Sequence, residues 1–206
     1  MEIQFYGGNC IRITTKKAAV VVDDNLVALG AKSVAKPDDI VLSTGRFTDT
    51  PEAKLAVDGP GEYEVSGVSV VGVPARSHMD EEGATSATMY KVDAEDIRVA
   101  VVGHVHPDLT ADELEALGTV DVLVVPVGGS GYTLDGIGAL KVVKAIEPKV
   151  VIPTHYADKA LSYEVPQQSL DEALKGLGME PAEKVPKLKL KPSDLPEVMQ
   201  LIVLER

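Results

Sequence analysis

The sequence predicts an α/β chain in which packed sheets are covered by helices, and three observations carry that expectation. Strand-like runs dominate the first half, strand and helix patterns alternate in the second, and the early strands follow one another closely enough to favour antiparallel hairpins. MEIQFYGG (1–8), CIRITT (10–15) and AAVVVDD (18–24) come first, with Gly7, Gly8 and the stretch 15–17 as turns. Next are DIVLST, LAVDG, YEVSGVSVVGVPA, ATMYKVD, IRVAVVG, DVLVVPV and KVVIPT, with MQLIVLE near the carboxyl end. Three windows have helical spacing. TADELEALG pairs Thr110 with Glu113 as a capping box, LDGIGALKVVKAI has an apolar face, and SLDEALKGLG opens on a serine cap and closes on glycine.

Composition bounds the rest. A chain of 206 residues with 45% hydrophobic content is long enough for a sizeable core and is expected to form a single domain over 1–206. The net charge of −12 works against nucleic acid and anionic membranes as partners. The lone Cys10 excludes an internal disulfide, and no apolar run approaches the ~20 residues of a membrane helix. The start, MEIQFYGGNC, has no secretory pattern, so a cytoplasmic address is expected. No period of 20 to 50 residues repeats, which argues against solenoids and propellers. The alternating VPKLKLKP segment (185–192) reads as a half-exposed strand with a solvated basic face.

Function concentrates at strand ends. His78 follows VSVVGVPARS, His104 and His106 follow IRVAVVG, and His155 follows VVIPT, so all four histidines close apolar runs. Strand-end loops present chemistry on a rigid scaffold, and imidazole is the commonest metal ligand. A single histidine there is ordinarily a satisfied loop residue; several together point to one site built from distant segments. The glycine-rich GGSG (128–131) lacks the lysine and spacing of a phosphate loop and reads as a turn, as does the bend DGPG at 58–61. No GxSxG is present to suggest a serine hydrolase.

Taken in order, the segments resemble a known family. The run 99–156, together with VVVDD, GPGEYEVSGVSV, SHMD and PTHY, resembles the metallo-β-lactamase-fold hydrolases, in particular the branch of ascorbate-6-phosphate lactonase and its uncharacterised zinc-dependent relatives. The resemblance implies a four-layer αββα sandwich with the site at one edge of the sheets. It also exposes a damaged motif. The family's HxHxDH falls on Gly45, Arg46, Phe47, Thr48, Asp49 and Thr50, of which only the aspartate is kept. His78 and His155 match family ligand positions, His104 stands at the metal-bridging aspartate, Asn9 replaces a histidine of the early turn, and His106 has no assigned role.

A bridging carboxylate offers two oxygens and a negative charge, whereas a neutral imidazole offers one lone pair, so a two-metal centre is not expected. Asp49, His78, His104 and His155 remain as an N3O set for one Zn2+ at ~2.0 to 2.2 Å, or for none. Asp49 and His104 are the catalytic candidates, and Arg46 and Tyr156 are candidates for contact with a small-molecule substrate. Two functional classes follow: a hydrolase of an ester, lactone or phosphoester with a reduced centre of at most one metal, or a metal-free pseudoenzyme that keeps the fold to bind a small molecule or protein. The sequence does not specify the oligomeric state.

Overall fold

The computed structural model describes residues 1–45 and 51–206. In chain order its strands are β1 (Glu2–Gly7), β2 (Cys10–Thr14), β3 (Ala19–Val22), β4 (Ile40–Leu42), β5 (Leu55–Val57), β6 (Gly61–Val65), β7 (Val68–Ala75), β8 (Ala87–Ala94) and β9 (Ile97–Val101). Helix α1 (Ala111–Leu117) leads to β10 (Val122–Pro126), α2 (Gly136–Ile146) to β11 (Val150–Thr154), and α3 (Leu170–Leu177) to β12 (Pro181–Val185), β13 (Leu188–Lys189) and β14 (Gln200–Leu204). One sheet has six strands in the order β13-β1-β2-β3-β4-β5, and the other has eight in the order β12-β14-β11-β10-β9-β8-β7-β6. The expected hairpins are present between β1 and β2 and between β2 and β3. YEVSGVSVVGVPA, read as one strand, instead turns back at Ser66 and Gly67, both at positive φ, to give antiparallel β6 and β7, and β8 and β9 form a further hairpin. Strands β9, β10 and β11 run parallel, as the later strand–helix alternation requires.

The sheets face each other across a dry core. Ile3, Ile11, Ile13, Val20 and Ile40 from the six-stranded sheet meet Val70, Tyr90, Val99, Val124 and Ile152 from the other. The opposite face of the eight-stranded sheet is covered by the apolar sides of the helices, including Leu117, Val142, Val143, Leu174 and Leu177. The expected caps at Thr110 and Ser169 are in place, both as capping boxes, and Asp135, not foreseen as a cap, caps α2 by accepting from the Gly138 N–H at 2.7 Å. The two-sheet sandwich is therefore the one expected, with a particular outer layer.

That layer, on the far side of the six-stranded sheet, is the irregular segment 24–39, which lies over Cys10, Val21 and Val41. Successive turns between Asn25 and Gly30 and buried polar anchors hold it in place of a regular helix. Asp24 Oδ2 accepts from Ser33 Oγ and from the backbone N–H of Val34 and Ala35 at 2.7–2.9 Å. Arg12 reaches Asp39 through two bonds of 2.6 and 2.7 Å. Burial also pushes the Cys10 thiol upward, with Asp24 and Asp23 adding to the effect.

The VPKLKLKP reading needs correction in extent. Its alternation is real, since Leu188 and Leu190 are buried while Lys187 and Lys189 approach Glu2. Only Leu188 and Lys189 pair as a strand, and Val185 ends β12 in the other sheet. Pro186, between them, has no N–H to continue a ladder.

Helices α2 and α3 touch backbone to backbone. A Cβ on Gly136 would overlap the Ala173 carbonyl and stand 2.9 Å from the Gly176 Cα. Gly136→Ala is expected to lower stability by about 1–3 kcal/mol by forcing the helices apart, as urea unfolding would measure.

Candidate functional site

The parallel strands β3, β4, β9, β10 and β11 deliver their carboxyl ends to one edge of the sandwich, where ligands of α/β sheets usually sit. Asn9 in the β1–β2 turn, Asp23 after β3, Thr44 after β4, His78 after β7, His104 after β9 and His155 after β11 are brought to this edge.

The arrangement is built from buried polar contacts. Asp23 accepts from the Thr44 N–H at 2.7 Å and from Thr44 Oγ1 at 2.6 Å. Burial pushes its carboxyl up to about 6 against the opposing pull of these bonds and of Asn9. Gly103, at φ 60, lies against the Thr44 side chain so closely that a Cβ there would overlap it. His104 follows directly. His155 occupies the left-handed region at φ 55, a conformation that disfavours branched and bulky residues and is common at functional positions. Its N–H donates to the Gly8 carbonyl at 2.8 Å, which fastens β11 to the β1–β2 turn.

His104 and His155 meet edge to face, with ring centroids 4.7 Å apart at 85°. Tyr132 lies across both, 4.8 Å from His104 and 6.0 Å from His155, and Tyr163 lies 5.2 Å from His155. His155 Nδ1 is 3.0 Å from Gln167 Oε1, so Nδ1 carries the proton and Nε2 the lone pair. His104 Nε2 is 3.2 Å from Asn9 Nδ2. His78 donates its backbone N–H to the His104 carbonyl at 2.7 Å, while its ring lies 6.5 Å from that of His106. Burial is the first cause lowering all three imidazoles. His104 falls to about 3, with His155 and His78 contributing, and His106 depresses His78 further. All three are neutral at physiological pH, the form in which imidazole binds metal.

Of the residues read from the sequence, Asp49 and Arg46, with Phe47, Thr48 and Thr50, lie outside the described residues. Tyr156 does not line the histidine pocket. Its ring packs on Phe5 at 5.6 Å and its hydroxyl donates to the Leu204 carbonyl at 3.3 Å, so the expected substrate contact gives way to a core role. Asp23, Thr44, Tyr132, Thr154, Tyr163 and Gln167 join the site unannounced by any motif, although the VVVDD run did mark Asp23. Near His155, Tyr163 and Gln167 border an open depression of about 410 Å³, whereas a cavity of about 640 Å³ lies at the opposite end beside Met1, Glu95 and Lys191. Neither is lined by a histidine.

Two buried ring nitrogens, Nδ1 of His78 and Nδ1 of His104, have no partner among the described residues. Such atoms fit a site that takes a further group, and neutral nitrogen donors suit a zinc-like ion. Among the described residues no three histidine, cysteine or acidic donors are grouped so as to hold a metal ion. Also among the described residues, no helix is long and apolar enough to cross a membrane.

The buried Asp23 gives a pH signature. Its folded-state carboxyl keeps a proton to about 6, while an unfolded aspartate releases it near 4, so the folded chain binds more protons between them. The resulting stability is full below about pH 4 and lost as pH rises through about 6, with a span of about 3 kcal/mol. Urea unfolding across this range is expected to show that loss in the native chain relative to Asp23→Asn.

The sequence profile described as "Beta-lactamase superfamily domain" matches residues 2–155. A metal-dependent hydrolase of Pyrococcus abyssi is 35% identical over 131 residues, which cover 62% of this chain and 56% of that protein, so the match spans about half the relative's length. A Thermotoga maritima structure, described as a Zn-dependent hydrolase of the metallo-β-lactamase superfamily, superposes with a TM-score of 0.80 at 26% identity over 100% of both chains. Igni18, a metallo hydrolase of Ignicoccus hospitalis, shares the fold at a TM-score of 0.55 and 16% identity, covering 79% of this chain and 86% of its own. With its fold matched along the whole length and its profile from the first strand to His155, the chain belongs to the β-lactamase superfamily domain family and has the metallo-β-lactamase fold.

Proposed function

We propose that this chain is a metal-dependent hydrolase with a reduced centre, taking one zinc-like ion at most and acting on a small ester, lactone or phosphoester. The ligands are drawn from Asp49, His78, His104 and His155. The observation that carries the reading is the buried Nδ1 of His78, without a partner among the described residues, together with a His155 whose Nδ1 is held by Gln167 and whose Nε2 keeps its lone pair. Imidazoles that bind metal are ordinarily oriented in this way by a second hydrogen bond. The names of the Pyrococcus and Thermotoga relatives support metal dependence.

When bound, such an ion supplies Lewis acidity and a water of lowered pKa. The chain supplies the rest. Gln167 fixes the tautomer and direction of His155, Asp23 and Thr44 hold the β3 and β4 ends in place, and Tyr132 keeps solvent off both imidazoles. Asp49 is proposed to take the proton of the attacking water.

Metal content tests the proposal. After zinc-replete growth without a histidine tag, about one equivalent per chain is expected, lost in His155→Ala and held about 10–100-fold more weakly in Gln167→Leu. Trace metal only, with no change in thermal midpoint on adding zinc, would overturn it in favour of the metal-free binding reading. Two tightly held equivalents would overturn the single-ion centre.

A further inference from the structure

Asn9 is 3% exposed and holds the centre of a buried hydrogen-bond junction. Its Oδ1 accepts from the Thr154 hydroxyl at 2.9 Å, and its Nδ2 stands 3.2 Å from His104 Nε2. The same side chain lowers the Asp23 carboxyl, which an amide achieves only by donating to it. A carboxylate accepts and never donates, so the nitrogen end of Asn9 is turned toward Asp23 and His104 together. That nitrogen has two hydrogens and no free lone pair. His104 Nε2 must therefore accept, and the single proton of the neutral ring belongs on Nδ1.

This places an N–H, not a lone pair, on the partnerless atom of His104. A buried donor without an acceptor, as this one is among the described residues, is costly and suits a ligand that provides one. It also conflicts with a role as metal ligand, since a cation cannot share a nitrogen with its proton. The ring is covered by His155, which is buried, and by Tyr132, which is 37% exposed and forms the solvent side of this contact.

We infer that His104 donates its Nδ1–H to a substrate oxygen, the carbonyl oxygen that becomes negative during acyl transfer, and that Asn9 is the positioning residue that fixes this tautomer. The nature of that oxygen rests on the hydrolytic reading above; the tautomer does not. Donors aimed at a developing oxyanion are among the largest contributors to acyl transfer. His104 thereby leaves the set of candidate metal ligands, which the hydrolytic reading then draws from the remaining donors. The substrate class narrows to carbonyl esters and lactones.

Long-range proton–nitrogen correlation spectra of the labelled full chain read the tautomer directly, without metal and with equimolar zinc. The expected result is an Nδ1–H tautomer for His104 in both spectra. Asn9→Asp, which puts an acceptor against Nε2, is expected to reverse it, and Thr154→Val, which frees the Asn9 oxygen, to give a mixture should the first variant not fold. His104→Leu is expected to keep zinc affinity within about threefold while slowing hydrolysis of p-nitrophenyl acetate by about 10²–10³-fold, with His104→Gln recovering part of the rate through its own N–H. An Nε2–H tautomer in the native chain overturns the inference, as does a loss of zinc affinity in His104→Leu. A native chain that binds no zinc but shows the Nδ1–H tautomer refutes the single-ion reading and supports the donor assignment.

Discussion

Between the two sheets the contacts are hydrocarbon through most of the interface, but at the site edge they are hydrogen bonds, and the placement of every functional side chain depends on that change. The Thr44 carbonyl, at the end of β4, accepts from the Thr88 N–H of β8 at 2.9 Å, joining one sheet to the other. The Gly8 carbonyl does the same with the His155 N–H, and the Asn9 side chain with Thr154. Apolar packing fixes the spacing between sheets without setting direction, whereas hydrogen bonds prescribe angles as well as distances. The edge where direction matters is the edge where the chain changes from one to the other.

The loss of the family's HxHxDH histidines takes on a physical meaning beside this junction. A dinuclear centre needs several ionised or metal-bound groups close together, held by the charge of the cations. Among the described residues, the same edge contains neutral imidazoles, an amide, a hydroxyl and the buried carboxyl of Asp23, which burial shifts toward its neutral form. These groups are held by hydrogen bonding, in which each neutral ring offers one donor and one acceptor. His155 receives its acceptor from Gln167 and His104 its donor from Asn9.

How much of this could be read beforehand follows from which signals are local. The three helices were legible because their caps lie within three or four residues of the turns they satisfy, as with Thr110 and Glu113 or Ser169 and Glu172. The hairpins were legible because their strands are adjacent. Strand β12 escaped notice because PAEKV is neither alternating nor apolar and is specified by the parallel partner β14, which arrives later in the chain. The histidines could be found as strand ends, yet Gln167 and Tyr132 enter from loops whose sequence gives no periodic cue. Tyr156, next to a matched histidine, shows the opposite failure: proximity in sequence suggested the pocket, while the left-handed turn at His155 sends the following ring into the core beside Phe5.

Strand β13 closes the edge of the six-stranded sheet by pairing with β1, Glu2 opposite Lys189, and the Met1 carbonyl accepts from the Leu190 N–H. During synthesis the first sheet therefore emerges with an unpaired β1 edge that stays open until residues 188–189 have been made. Open strand edges are templates for wrong partners, and pairings between distant segments form slowly. The sheet that holds Asn9 and Asp23 at the pocket thus waits for β13, the other waits longer still for β14, and a ribosome pausing before residue 188 would hold the chain with both sheets unfinished.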